Sequence, residues 1–259
     1  MMKHFPGFFL FIFSYLPANC QIHTDFQPDS IFRFNKVKTR NVFLEGRYFA
    51  DLNKKETYDE AGHLIESTSY DPASGKIPWY NTNYKYDSLG RINETITKDL
   101  TESHHIVINS RTGGKATNFR YCSYEYDSTG LLCRGIISDS TREPLDTIIY
   151  DDKGNKQTIK KYSIYGTLST EIITWYEKPD IVSKSSIRFV YKDGSEKTNT
   201  SEYKNIYNEE GQLKKSFDIN GIDPRIIKYF YNSSGLLSKI KVIYPEYTYK
   251  MIFSYQYRK

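Results

Sequence analysis

The feature that most constrains this chain is a five-residue motif that occurs six times. Each copy has tyrosine, then aspartate or asparagine, two variable residues and glycine. The copies are Tyr58, Asp59 and Gly62; Tyr86, Asp87 and Gly90; Tyr126, Asp127 and Gly130; Tyr150, Asp151 and Gly154; Tyr207, Asn208 and Gly211; and Tyr231, Asn232 and Gly235. In five copies the second residue after the glycine is aliphatic, and Lys156 is the exception. The motif therefore defines a repeated structural unit.

The residue types of the motif indicate a tight β-hairpin. Aspartate or asparagine favours the first position of a type I turn, and glycine three positions later accepts a left-handed backbone conformation. In the resulting register Tyr126 lies opposite Leu132, so the repeated tyrosine and aliphatic residue form a cross-strand pair on one face. Flanking residues alternate between apolar and polar types, which is typical of strands.

One hairpin cannot bury its tyrosine face alone, so successive hairpins must pair edge to edge in a curving sheet. We therefore predict an all-β protein, with repeated antiparallel β-hairpins forming one curved, spiral or partly closed sheet. Residues 21–259 form this single domain. The chain has 38% hydrophobic and 16% aromatic residues, which excludes a disordered class.

The Tyr-Asp-x-x-Gly pattern, with an aliphatic residue two positions after the glycine, resembles the YD repeat of the Rhs and teneurin-like family. The copies cover about residues 58 to 237. The resemblance implies a hairpin ribbon wound into a shell, which in large bacterial members encloses a toxin domain. This chain is much shorter than such a shell and shows no toxin module after the repeats. The toxin-delivery role is therefore not transferred.

The first twenty residues predict an export signal. Lys3 precedes the apolar run from Phe8 to Phe13, which is too short to span a bilayer. Two interpretations compete: simple cleavage after Cys20, or a lipid anchor on Cys20. The sequence around Cys20 matches the lipoprotein pattern imperfectly, because Pro17 and Asn19 occupy positions where leucine and a small residue are expected. The predicted location is the periplasm, the outer-membrane surface or the extracellular space.

Charge and motif content argue against several function classes. The net charge is +5, and basic residues are interleaved with acidic ones, so no nucleic-acid partner is expected. Four histidines lie outside the signal, at 23, 63, 104 and 105, without metal-binding spacing. The motif aspartates are explained by turn formation rather than calcium binding. We therefore predict no catalytic residues, no metal and no cofactor, and the chain is not expected to be an enzyme.

Two cysteines flank one predicted hairpin. In the register that pairs Tyr126 with Leu132, Cys122 lies on the tyrosine face and Cys133 on the other. Their side chains then diverge, which disfavours a disulfide. Free cysteines are the favoured interpretation.

Two aromatic pairs outside the repeats are the candidate ligand-binding residues. Trp79 and Tyr80 follow a proline, and Trp175 and Tyr176 precede one, so each pair is expected near a strand end. An exposed ring there can stack on a sugar or on a partner protein, while packing in the core is the competing interpretation.

The sequence as a whole predicts an exported, non-catalytic module of the cell envelope. It would have a binding or structural role, with a carbohydrate or another envelope protein as partner. The alternative is an accessory or remnant of a polymorphic, Rhs-like toxin system that binds or encloses a partner protein. Exposed tryptophans beside polar groups favour the first role, and a cavity lined by repeat tyrosines favours the second.

Overall fold

The computed structural model describes residues 29–46, 49–71, 75–100, 119–178, 181–191, 193–220 and 225–258. The predicted signal peptide, Cys20, His23, His104 and His105 lie outside these ranges. The elements are α1 (Asp29–Phe34), β1 (Val37–Gly46), β2 (Phe49–Tyr58), β3 (Leu64–Tyr70), β4 (Pro78–Tyr86), β5 (Ile92–Asp99), β6 (Phe119–Tyr126), β7 (Leu132–Ser138), β8 (Pro144–Lys153), β9 (Lys156–Ser163), β10 (Leu168–Lys178), β11 (Ile181–Val190), β12 (Glu196–Tyr207), β13 (Leu213–Asp218), β14 (Ile226–Tyr231), β15 (Leu237–Ile243) and β16 (Thr248–Tyr257). No helix within the described ranges combines the length and apolar character needed to cross a membrane.

The strands form one closed antiparallel barrel. Each strand pairs with its neighbours in sequence, and β1 pairs with β16. The prediction of an all-β sheet of antiparallel hairpins is confirmed, but the sheet closes completely instead of forming a spiral or a partly closed sheet. Closure comes from a long ladder between the two terminal strands, from Val37 opposite Tyr257 to Gly46 opposite Tyr249. Neither of these strands carries a turn motif of its own, so the repeat pattern contains no signal for their pairing.

The two faces of the barrel differ in chemistry. One face of the sheet carries the buried aliphatic and aromatic side chains, including Ile148, Ile159 and Tyr229. This is the inner face, because side chains converge on the concave side of a closed sheet and diverge on the convex side. The described buried side chains form three clusters: one along β5 to β11, one along β13 to β16 and β1, and a smaller one of Phe32, Val37, Tyr58 and Leu236. The outer face is rich in lysine, glutamate, serine and threonine.

Five of the six strong repeat copies form the predicted turn. In the copy at Asp127, the Asp127 amide donates to Leu131 O at 2.9 Å, and the Gly130 amide donates to Asp127 O at 3.0 Å. The Asp127 carboxylate accepts hydrogen bonds from the amides of Thr129 and Leu131, and Gly130 has a φ of 83°. The predicted pairing of Tyr126 with Leu132 is present. All five turns follow even-numbered strands, so they lie at one end of the barrel, called here the motif end.

The fourth strong copy has a different turn. Strand β8 continues through Tyr150 and Asp151 to Lys153, which lies opposite Lys156. The chain reverses at Gly154 and Asn155, so the loop has two residues instead of three. Tyr150 lies opposite Ile159 and is buried in the inner face. This copy is the one in which Lys156 replaces the aliphatic residue, and the turn predicted at Asp151 is therefore not formed.

The repeat tyrosines connect consecutive hairpins. Tyr86 donates its hydroxyl proton to Leu64 O at 2.9 Å, and Tyr126 donates to Ile92 O at 2.7 Å. Tyr231 makes the same bond to Leu213 O, and Tyr255 of β16, which lies outside the six copies, makes it to Leu237 O. In every case the acceptor is the carbonyl of the aliphatic residue that opens the second strand of the preceding hairpin. The tyrosine and aliphatic positions of the motif are thus joined within one hairpin by pairing and between hairpins by a hydrogen bond.

A buried ion cluster lies on the inner face near the motif end. Arg40 on β1 and Lys54 on β2 both contact the carboxylate of Glu56, which also accepts a hydrogen bond from Tyr58 at 2.9 Å. Burial raises the pKa of Glu56, but the charges of Arg40 and Lys54 outweigh it and lower that pKa to about 2. Helix α1 covers the cluster, because Phe32 stacks on Tyr58 at 4.7 Å and lies under the Arg40 guanidinium.

The two cysteines in the described ranges are free, in agreement with the predicted register. Cys122 is buried on the inner face beside Tyr124 and Ile137. Cys133 occupies a β-bulge that follows the turn, and its thiol donates to Glu125 O at 3.3 Å. Since the side chains lie on different faces, they cannot form a disulfide without a change of register.

Candidate functional site

The candidate aromatic pairs lie on two distant strands. Trp79 and Tyr80 belong to β4, and Trp175 and Tyr176 belong to β10, with five strands between them in the barrel. The four residues therefore do not form one site. Both tryptophans are half-buried, and both lie on the outer face next to an inward-facing neighbour. The structure places a half-exposed indole on each side of the barrel.

Trp175 lies at the centre of a small aromatic and cationic surface. It is directly opposite Lys156 on β9 and Lys184 on β11. The Nζ atoms of these lysines lie 5.7 and 5.6 Å from the centre of the indole ring. Adjacent strands present facing side chains on the same side of the sheet, so the antiparallel register itself creates this arrangement. The lysine charges are attracted to the ring face and stay exposed to solvent. We call Trp175, Lys156 and Lys184 the Trp175 platform.

The two lysines of the platform have different surroundings. Lys184 forms an ion pair with Glu202 at 2.9 Å, and this hydrogen bond and charge lower the pKa of Glu202. Lys156 has no carboxylate within ion-pair distance among the residues that the structure describes. The platform thus carries a net positive charge beside an apolar ring. Such a surface can hold the apolar face of a sugar ring and attract an anionic group attached to it.

The surroundings of Trp79 are different. Its carbonyl oxygen accepts a hydrogen bond from the Leu100 amide at 2.8 Å, which continues the pairing between β4 and β5. No cation of the described residues lies over its ring. Tyr80 is 41% exposed, and the hydroxyl of Tyr176 donates weakly to Gln157 at 3.4 Å. Of the two predicted pairs, the pair of Trp175 and Tyr176 is therefore the one with described cationic side chains over its indole ring.

The repeat aspartates Asp59, Asp87 and Asp127 act in turn formation, whereas Asp151 lies within β8 and pairs with Lys153. Asp87 accepts hydrogen bonds from the Leu89 and Arg91 amides and pairs with the Arg91 guanidinium. His63 lies 3.1 Å from the Asp59 carboxylate of its own turn. In the described ranges no group of three or more histidine, cysteine, aspartate or glutamate side chains is arranged to hold a metal ion.

Sequence reasoning found Trp175 but not the lysines that flank it. Lys156 is 19 residues before the tryptophan in sequence, and Lys184 is nine residues after it, with residues 179 and 180 outside the described ranges. Their position depends on the registers of two hairpins without the repeat motif. The sequence indicated only that Lys156 and Lys184 lie on the polar faces of β9 and β11, because polar and apolar residues alternate along those strands.

Comparisons with known proteins give distant structural likenesses only. No family model matches the chain, and no curated protein matches it. A porin-like protein from Bacteroides uniformis has a TM-score of 0.43 and 9% identity, over 86% of this chain and 97% of that one. A porin-like protein from Bacteroides vulgatus has a TM-score of 0.42 and 11% identity, over 85% and 99% of the two chains. The TcdB2-TccC3-Cdc42 complex has a TM-score of 0.18 and 12% identity, over 79% of this chain and 14% of that one. At these values the likenesses carry no argument about what this chain binds or does.

Proposed function

We propose that this chain is an exported, non-catalytic, YD-repeat-like barrel that binds an acidic glycan at the Trp175 platform. The observation that carries the proposal is the outward, half-buried indole of Trp175 between two lysine ammonium groups. The indole supplies a flat apolar surface for the C–H face of a sugar ring. The lysines supply charge for a carboxylate or sulfate on the same glycan.

The outer face supports a location in water within the envelope. Among the described residues, six directly facing pairs of opposite charge cross it: Lys85 with Glu94, Glu125 with Arg134, Glu171 with Lys160 and with Arg188, Lys184 with Glu202, and Glu45 with Lys250. A lysine or arginine side chain that faces lipid near the middle of a bilayer destabilises a membrane barrel by about 2–4 kcal/mol, and an acidic side chain by less. Together with the export signal predicted from residues 1–20, this favours the periplasm or the outer-membrane surface.

The YD-repeat proposal is supported by the turns and the tyrosine hydrogen bonds. Five motif turns share the same backbone hydrogen bonds, and three motif tyrosines, Tyr86, Tyr126 and Tyr231, donate to the preceding hairpin. In those three copies the tyrosine, the aspartate or asparagine, the glycine and the aliphatic residue each make a defined contact. They describe a repeat that propagates from hairpin to hairpin.

The test is a screen of the purified exported chain on an array of neutral and acidic glycans. We expect saturable binding to acidic glycans that falls more than tenfold in Trp175→Ala, because the platform is removed. The matched control is Trp79→Ala, which removes an outer-face tryptophan separated from Trp175 by five strands and should keep binding within about twofold. Lys156→Gln with Lys184→Gln should weaken binding to acidic glycans and reduce its dependence on salt.

Two outcomes would overturn the proposal. One is the absence of binding across a broad array by a chain whose circular dichroism shows an intact β-fold. The other is an equal loss in the two tryptophan variants, which would assign the effect to stability. A pull-down for envelope proteins would then test the accessory toxin-system role, in which the tyrosine-lined inner face encloses a partner segment.

A further inference from the structure

A pocket of about 460 Å³ lies at the motif end, between the last two strong copies of the repeat. One wall is formed by Glu210, Gln212 and Lys214, which belong to the β12–β13 hairpin. The other wall is formed by Tyr229, Tyr231 and Ser233, from the β14–β15 hairpin. Its volume is in the range of pockets that hold small molecules. The residues that line the pocket differ from those of the Trp175 platform.

The wall contributed by the β12–β13 hairpin contains one group of each charge. Glu210 occupies the tip of the turn, and Lys214 lies in the bulge that follows it. Within the described part of the chain, neither side chain forms an ion pair or a side-chain hydrogen bond. This differs from the outer wall, where facing charges are paired across strands. The pocket therefore presents a carboxylate and an ammonium group that are both available to a ligand.

The equivalent space between earlier copies is filled. His63 follows the glycine of the first copy and stacks on Tyr86 of the second, with ring centres 4.7 Å apart. Arg91 follows the glycine of the second copy and lies 4.3 Å from the ring centre of Tyr126 in the third. In the pocket the corresponding residue is Gln212, which accepts a hydrogen bond from Asn208 at 3.0 Å and lies against Gly235, as His63 and Arg91 lie against Gly90 and Gly130. Gln212 has no imidazole ring or guanidinium group to cover the next tyrosine, Tyr231, and the pocket lies beside that ring.

We propose that this pocket binds a free α-amino acid with an apolar or aromatic side chain. The ammonium group of Lys214 receives the α-carboxylate, and the carboxylate of Glu210 receives the α-ammonium group. The side chain of the ligand packs against the rings of Tyr229 and Tyr231. A zwitterion satisfies both charges at once, whereas a purely anionic or cationic ligand leaves one of them without a partner. This inference does not depend on glycan binding at the Trp175 platform.

The experiment is titration calorimetry of the purified exported chain with L-phenylalanine and L-leucine. Each is compared with its N-acetyl derivative and its carboxamide, which remove one charge at a time. We expect saturable binding of the free amino acids and at least fivefold weaker binding of each derivative. In Lys214→Gln the preference over the carboxamide should vanish, while the preference over the N-acetyl derivative stays. In Glu210→Gln the preference over the N-acetyl derivative should vanish, while the preference over the carboxamide stays.

The control variant is Glu209→Gln, which changes a neighbouring carboxylate of the same turn that does not line the pocket. It should bind like the unmodified chain. The proposal is overturned if no amino acid binds up to tens of millimolar, or if the derivatives bind as tightly as the free amino acids. It is also overturned if Glu209→Gln and Glu210→Gln have the same effect. Because the readouts are preferences within one folded variant, a change in stability does not imitate them.

Discussion

At the scale of single residues, the motif tyrosine is explained by its hydroxyl group as well as by its ring. The ring pairs with the aliphatic residue across its own hairpin, as Tyr126 does with Leu132. The hydroxyl reaches the preceding hairpin, where the carbonyl of Ile92 accepts its proton. Phenylalanine would supply the first contact but leave that carbonyl without this donor. In the copies at Tyr86, Tyr126 and Tyr231 the hydroxyl is therefore used for the contact between hairpins, whereas Tyr58 donates to Glu56.

This argument predicts the effect of Tyr126→Phe. The variant should lower the free energy of unfolding by about 0.5–1.5 kcal/mol, the net contribution of a typical intramolecular hydrogen bond. Urea denaturation followed by fluorescence measures the difference. The control is Tyr191→Phe, at a tyrosine whose side chain is 50% exposed, and it should change stability by less than about 0.5 kcal/mol. Equal effects of the two substitutions would show that the hydroxyl of Tyr126 contributes nothing.

At the scale of elements, helix α1 and the first two strands are joined through buried charge. Glu56 is 1% exposed and Arg40 is 2% exposed, and Phe32 of α1 covers the pair. A buried carboxylate persists in its ionised form only when cations and hydrogen bonds compensate for lost hydration. Arg40, Lys54 and Tyr58 provide that compensation. The cluster thus ties the segment before β1 to the barrel wall.

The lowered pKa of Glu56 predicts a defined dependence of stability on pH. Its pKa is about 2 in the folded chain, against 4.5 for an unperturbed glutamate, so the ionised group favours the folded state. That contribution is fully present above about pH 4.5 and is lost as the pH falls toward about 2. Glu56→Gln should destabilise the chain by about 3–5 kcal/mol at pH 7, because the buried cations lose their counter-charge.

Urea denaturation of the wild-type chain and of Glu56→Gln at pH 7 and pH 3 tests this direction of the pH dependence. The difference between wild type and Glu56→Gln should be smaller at pH 3, since the wild-type chain has lost part of the Glu56 contribution there. Glu209→Gln, at an exposed turn residue, serves as the reference and should follow the wild type at both pH values. A difference that stays constant between the two pH values would contradict a lowered pKa for Glu56.

At the scale of the whole molecule, the repeat predicts the hairpins well and their closure poorly. The motif contains turn and pairing information, so five turns and the Tyr126–Leu132 register were predictable. Turns without the motif were not: Asp139 to Arg142 forms the same hydrogen bonds, with Arg142 at a φ of 69° where other copies have glycine. Arg142 tolerates that conformation while it lies over the Tyr121 ring and contacts Glu94.

The candidate site shows the same division between local and long-range information. Trp175 was identified from its residue type and its place near a strand end. Lys156 and Lys184 were not, because their approach depends on the pairing registers of β10 with β9 and β11, in which β-bulges shift the alignment. The amino-acid pocket depends on the contact between separate hairpins and so was also outside the reach of the motif. Long-range registers are fixed by the packing of the whole sheet, which a five-residue repeat does not encode.

Closure of the barrel leads to the last prediction, which distinguishes a closed sheet from an open spiral. Phe43 on β1 lies directly opposite Ile252 on β16, and both face outward. Facing residues of antiparallel strands have Cα atoms about 4.5–5.5 Å apart, a separation that a disulfide can bridge. Phe43→Cys with Ile252→Cys should therefore form a disulfide under oxidising conditions and stabilise the chain by about 2–4 kcal/mol.

The control pairs Phe43→Cys with Ile206→Cys, since Ile206 is an exposed residue on β12 and four strands lie between β12 and β1 in the barrel order. Peptide mapping by mass spectrometry identifies the bond, and denaturation with and without reductant measures its effect. In an open spiral the first and last strands are separated by the height of the coil, so neither pair would bond. A disulfide that forms at positions 43 and 252 but not at positions 43 and 206 requires β1 and β16 to be neighbours, because a disulfide joins only side chains in direct contact.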